Sequence, residues 1–156
     1  MSVRLYDIQM LIATTLQASP TFEAACIDKF ASAFNFYVDP SLSDNDEVIP
    51  YCSVHKFQKI EEAGKDDAWV VQCVFAVQPG SVPTVVSGIR VYPAQADLEY
   101  LSDLACAEVK GALKCQLFDD ESLYIENVNT LFTEVGEAQL DIQCITTITL
   151  ARVKLF

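Results

Sequence analysis

IPYCSVHKFQKIEEAGKDDAWVVQCVFAV, Ile49 to Val77, is the stretch whose reading decides the fold. In its second half Trp69, Val71, Cys73, Phe75 and Val77 are apolar at every other position, while Gln72 and Gln78 take the opposite parity. That period of two is the mark of a strand with one buried face. The first half, YCSVHKFQKI, is also strand-like but mixed. It puts Tyr51, His55 and Phe57 on one side and Cys52, Val54 and Ile60 on the other. EEAGKDD, polar and centred on Gly64, joins the two as a hairpin loop longer than the tight two-residue type. The same stretch holds two of the six cysteines and the only histidine, which raises the question of a metal site. Cys52 and His55 differ by an odd number of positions, so a strand points them to opposite faces. With one histidine, a tetrahedral zinc site needs several thiolates or carboxylates converging from distant segments, and no spacing arranges it. Cys52, His55 and Cys73 therefore read as members of a β-hairpin, with no metal.

Toward the N-terminus the period lengthens. Leu5, Ile8, Ile12 and Leu16 recur at three and four residues, the apolar stripe of a helix from about Val3 to Gln17. Ser19-Pro20 offers a capping hydroxyl before a proline suited to a first helical position. This predicts a second helix carrying Phe22, Cys26, Ile27, Phe30 and Phe34 and ending before Asp39-Pro40. DPSLSDNDEVIP reads as a polar, proline-bounded loop. Toward the C-terminus VPTVVSGIRVYP is a short extended stretch. A long helix over about Ala94 to Lys114 follows, with Leu98, Leu101, Ala105, Val109 and Ala112 in its stripe and Cys106 and Leu113 at the margin. Beyond an acidic turn, SLYIENVNTLFTEV and the alternating Leu140, Ile142, Cys144, Ile148 and Leu150 form a second hairpin turning at Gly136, with Thr146 the one polar interruption.

The prediction is a single α+β domain over residues 1–156, an antiparallel or mixed sheet of two hairpins with the N-terminal helices and one long central helix packed on a face. The second strand and the last strand are apolar on both parities: Val70, Val74 and Ala76 oppose the core set on one, Ile145, Thr147, Thr149 and Ala151 on the other. Such strands call for cover on both faces, from the second helix or from another subunit.

A chain of 156 residues is long enough to bury about two thirds of its unfolded surface without disulfide or metal staples. Its 51% hydrophobic content excludes general disorder. No apolar run approaches the ~18 residues of a membrane span, and the opening lacks the features of a secretory signal, so a cytoplasmic protein is expected. Cys26, Cys52, Cys73, Cys106, Cys115 and Cys144 are scattered with no CxxC, which predicts reduced thiols, most of them buried. The net charge is -12. Between Asp97 and Asp141 eleven acids stand against Lys110 and Lys114, leaving -9 in that segment. Such a surface repels nucleic-acid phosphates.

No GxSxG, HExxH or P-loop occurs, and the chain is read as a non-enzyme with no catalytic, cofactor-binding or metal-ligating residue. Two alternatives stand beside that reading. Phe30, Phe34, Phe36 and Tyr37 suggest a homo-oligomeric module holding a small apolar ligand between helix and sheet, and Asp119, Asp120 and Glu121 a small carboxylate enzyme.

Taken in order, LYDIQMLIATTL, the proline-led IPYCSVHKF strand, the AQADLEYLSDLACAEVKGAL helix and the closing IENVNTLFTEVGEAQLDIQCITTITLARVK hairpin resemble a tail terminator, the tail-completion or minor tail protein of a long-tailed bacteriophage or prophage. The resemblance spans the chain in length and element order and departs from the pattern at SPTFEAACIDKFASAF, which is longer than expected. It implies a homo-oligomeric ring, typically hexameric, on the end of the tail tube, which ends tube growth and meets the head connector. Its partners would be its own copies, the tube protein and the connector. DNA would pass through the lumen without specific binding, past like charge that keeps the backbone from sticking. The implied location is the virion, assembled in the host cytoplasm, with no membrane contact.

Overall fold

The computed structural model describes residues 3–40, 48–64, 66–78, 83–135 and 141–153. The elements run α1 (Leu5–Ala18), α2 (Pro20–Phe30), β1 (Asn35–Val38), β2 (Tyr51–Ile60), β3 (Ala68–Val77), β4 (Thr84–Val86), β5 (Ile89–Val91), α3 (Ala94–Cys115), β6 (Leu123–Val135) and β7 (Asp141–Arg152). The fold is α+β, with a mixed five-stranded sheet in the order β1-β2-β3-β7-β6 and a separate two-stranded sheet of β4 and β5. Most of the DPSLSDNDEVIP loop, the Gly136 turn and Leu140 lie outside the described residues.

Ser19 ends α1 and starts α2. Its hydroxyl accepts the Phe22 N–H at 3.1 Å, with Pro20 opening the helix. The second helix stops at Phe30, earlier than expected, because Ala31 turns into the left-handed region (φ 59) and donates its N–H back to Ile27 O. Phe34 therefore falls outside it. The next residues alternate as a strand that pairs parallel with β2, Phe36 opposite Cys52 and Val38 opposite Val54. Phe34 continues the helical spacing of Phe30 by coincidence, and only the pairing of the four-residue strand after it shows the change of period.

The β2 and β3 strands pair antiparallel, and Gly64 (φ 80) lies in the turn between them. Pairing puts Cys52 opposite Phe75 and Val54 opposite Cys73 on the inner face, and Tyr51 opposite Ala76 and His55 opposite Gln72 on the outer. A bulge at Phe57, between Lys56 and Gln58, then shifts the register, so Ile60 pairs with Ala68 and joins the outer face. This corrects the expected grouping of Ile60 with Cys52 and Val54, because one extra residue reverses parity for the rest of a strand. In α3, Leu113 is buried and Ala112 half-buried, the reverse of the expected order at the helix end.

The inner face of the sheet carries the core. Trp69, Val71, Cys73, Phe75, Ile148 and Leu150 are all 2% exposed or less, and they share one cluster with Ile8, Ile12 and Leu16 of α1, Phe22 and Cys26 of α2, and Leu98, Leu101 and Val109 of α3. Phe22 lies 6.3 Å, centroid to centroid, from Phe75, so α2 stands on the same side as α1 and α3, and among the described residues no helix lies on the outer face. The indole Nε1 of Trp69 donates to Val3 O at 3.1 Å, tying the start of the chain to the sheet. The guanidinium carbon of Arg152 lies 5.1 Å from the Trp69 ring centroid, and the same group donates to Asp67 and Glu121 at 2.6 Å each.

Thr146, the polar interruption on β7, is buried and meets the buried Ser102 of α3, hydroxyl to hydroxyl, at 2.6 Å. Thr146→Val is expected to cost about 1–3 kcal/mol by leaving the Ser102 hydroxyl without that partner. Adding Ser102→Ala should restore part of the loss. Urea unfolding followed by the fluorescence of Trp69 measures this cycle, and strictly additive losses would show that the two hydroxyls do not depend on each other.

Candidate functional site

The residues of the opening stretch are separated by the sheet. Cys52 and Cys73 lie under the helices, fully enclosed, and burial pushes both thiols well above their ordinary pKa. His55 stands on the outer face, its Nε2 2.8 Å from Ser53 Oγ. Burial also raises Cys26 to about 12 and Cys106 to about 11. Cys144 is raised by burial, against the lowering effect of hydrogen bonds to Thr146 and Ser102. These thiols stay protonated at neutral pH and supply neither a nucleophile nor a thiolate ligand. Among the described residues no group of three or more His, Cys, Asp or Glu side chains gathers around a common point.

The aromatic residues split in the same way. Phe22, Phe30, Phe34 and Phe36 touch ring to ring, with centroids 5.7 to 6.4 Å apart, beside a cavity of about 150 Å³. That is below the ~300 Å³ at which small-molecule sites begin. Tyr37 is on the other face, packed edge-on against Tyr51 at 6.0 Å. The three acids after α3 are also divided. Asp119 and Asp120 occupy left-handed turn positions (φ 52 and 67), and Glu121 accepts from Arg152.

A polar cluster that the sequence did not reveal sits at the end of β1. Gln9, fully buried in α1, donates Nε2 to Asp39 Oδ1 at 2.8 Å and to Val54 O at 3.1 Å, and its Oε1 finds no partner among the described residues. Asp39 also accepts from Lys56 N at 3.0 Å and Lys56 Nζ at 2.6 Å. Partial burial raises the Asp39 carboxyl, but the hydrogen bonds from Lys56 and Gln9 outweigh it, and the net pKa falls below the ordinary value. The cluster pins β1 and β2 to α1 and has no cleft above it that the structure describes.

The outer face of the sheet is the large feature that remains. Pairing assigns to it Tyr51, Ser53, His55, Gln58 and Ile60 of β2, the even positions Ala68 to Ala76 of β3, and the odd positions Asp141 to Ala151 of β7. Tyr124, Asn127, Asn129, Leu131 and Thr133 of β6 continue it, after a bulge at Glu126. Asp141, at one margin, is the only charged residue among these positions, in a chain that is 21% charged. Ser53, Val70, Ala76 and Ala151 are buried although no helix covers them, since they are small and sit among taller neighbours. Those neighbours form a low polar lattice: Gln72 Nε2 donates to Thr147 Oγ1 at 3.2 Å, and Gln143 Nε2 to Tyr51 OH at 3.4 Å. The acids are elsewhere. Asp97, Glu99, Asp103 and Glu108 lie along α3, Asp119 and Asp120 in the following turn, and Glu126 and Glu134 on β6.

Compared with known proteins, the chain matches no family model and no curated protein. Among the described residues no helix is long and apolar enough to cross a membrane.

Two measurements follow from this geometry. In the native protein the exposed Cys115 is expected to react first with a water-soluble disulfide reagent and the half-buried Cys106 slowly, while Cys26, Cys52, Cys73 and Cys144 wait for unfolding. Rapid native labelling of Cys52 or Cys73, read by mass spectrometry, would contradict the burial. For Asp39, a folded pKa below the unfolded value means that its contribution to stability is complete above the ordinary carboxylate range of ~3.9 and is lost as the pH falls through the folded value. Asp39→Asn, which tolerates the left-handed backbone at φ 47, should flatten that acid limb of the unfolding curve. An unchanged limb would remove Asp39 from the account.

Proposed function

We propose that this chain is a structural protein of a bacteriophage or prophage tail, closing into a homo-oligomeric ring at the end of the tail tube, ending tube growth and joining the tail to the head connector. The observation that carries the reading is the open sheet face. Interface cores are depleted of charge relative to the rest of a protein surface, and this face has one carboxylate at its edge in a chain whose net charge is -12. Its size is of the order of one side of a standard interface. Four strands at least 10 residues long, about 4.8 Å apart and rising about 3.3 Å per residue, span on the order of 600 Å². One partner in a stable complex contributes about 800 Å². A contact between unlike patches that closes by rotation buries such a face and gives a ring.

The acids of α3 and its following turn stay outside that contact. A channel that they border repels the phosphate backbone and lets DNA pass without gripping it. The ligand-binding alternative loses its support with the small cavity beside Phe34 and with Tyr37 on the far side of the sheet.

Negative-stain imaging of the purified protein, alone and with the tube protein of its own phage or prophage, is the decisive experiment. Annular particles or capped tubes are expected, and the absence of both would overturn the reading. Val74 and Ile145 are half-buried cross-strand partners on the open face. Val74→Glu or Ile145→Glu should abolish the annuli, at a cost of about 3 kcal/mol or more for an unpaired charge in the contact. Circular dichroism should stay unchanged.

A further inference from the structure

The five-stranded sheet has two edges, and they are built differently. At one, β1 is four residues long and ends at Asp39, whose φ of 47 takes the chain out of the strand and whose carboxylate is held by Lys56. A short edge of this kind gives a further strand little to pair with. At the other, β6 runs for 13 residues beside β7, and among the described residues no strand pairs with its far side. Alternate N–H and C=O groups of β6 therefore point away from the sheet.

Long edges are commonly guarded by a lysine, a proline or an inward charge that keeps another chain from adding on. After its bulge at Glu126, β6 has seven residues, Asn127 to Thr133, without charge, proline or glycine. The segment is also open on both faces. Asn127, Asn129 and Leu131 are exposed on the outer face, Leu131 at 64%, and Val128 and Thr130 are exposed on the helix side. A helix laid on one face would leave the backbone edge and the other face open. An extended strand covers all three, because it continues the ladder and sets its own side chains beside those of β6 on both faces. Self-complementarity selects the strand. Laid antiparallel on a copy of itself about Thr130, the segment sets Val128 against Phe132 of the second copy on the helix side and Asn129 against Leu131 on the outer face, and it opposes no charges. Aromatic side chains opposite β-branched ones stabilise such pairs. The β1 edge could match only four residues.

We infer that β6 pairs antiparallel with β6 of a second copy across a two-fold axis near Thr130, joining the two sheets into one. The inference goes beyond the ring reading and does not need it, since an isologous contact closes on itself as a dimer whether or not a ring forms through the outer face. It also sets the nearly uncharged outer faces of the two copies side by side.

Full-length protein with the exposed Cys115 removed by Cys115→Ser, and carrying one substitution at a time from Asn127→Cys to Thr133→Cys, is oxidised with copper phenanthroline. Disulfide-linked dimers are expected, with the yield highest near position 130 and falling toward both ends. Thr130 faces the helix side, so it probes the edge without altering the outer face. Thr130→Lys should weaken self-association by roughly fivefold or more, measured by light scattering across a concentration series, and so should Thr130→Glu. An equimolar mixture of the two variants should restore association, because a two-fold contact sets position 130 against itself. Thermal melts at a concentration where the protein is monomeric should match the wild type, as Thr130 is exposed. Monomers at every concentration would overturn the inference, the edge then being left to a strand of another protein. Association that ignores both charges, or a mixture no better than either variant, would mean that copies meet elsewhere and would overturn it as well. Annuli formed by the variants in either of those cases would show that the ring reading stands while this one has failed.

Discussion

The inner face of β3 and β7 imposes the constraint on which the remaining structure depends. Trp69, Val71, Cys73 and Phe75 pair across the sheet with Leu150, Ile148, Thr146 and Cys144, and α1 and α3 close over them. Interiors of this kind are close-packed, so the helices that cover one face are committed to it. Ser102 and Thr146 satisfy each other within that layer, and Trp69 reaches back to Val3, so the few polar groups it encloses serve the same packing. With α2 stacked on the same side through Phe22 and Phe75, no helix is left for the far face.

The proposed assembly would use that far face. A sheet surface of alanine, serine, threonine, valine and uncharged amides stands apart from the rest of a protein so rich in carboxylates. It is well suited to lie against a second protein surface without stranding a charge. The apolar β4–β5 hairpin is a second exposed surface. The thiols, the lone histidine and the Gln9–Asp39–Lys56 cluster are accounted for by packing and hydrogen bonding.

Much of this was legible in the residue pattern. The period of two from Trp69 to Val77, the Ser19-Pro20 break and the long stripe after Ala94 each reflect a local rule that the folded chain obeys. What was not legible has identifiable causes. The bulges at Phe57 and Glu126 are single-residue insertions that no alternation count detects, yet the first reverses the face of Ile60. The strand β1 is four residues long, too short to show a period, and is defined by its partner β2. Gln9 carries no local signal, because its role is to reach Asp39, thirty residues away.

By itself the sequence determined the long helices and the clearly alternating strands, that most of the cysteines would be buried, and that two strands are apolar on both faces, because each of these is written in neighbouring residues. Only the tertiary structure decided that all three helices take the same face and that the outer face is nearly free of charge. Those facts depend on which element packs against which, and packing is settled by contacts between residues far apart in the chain.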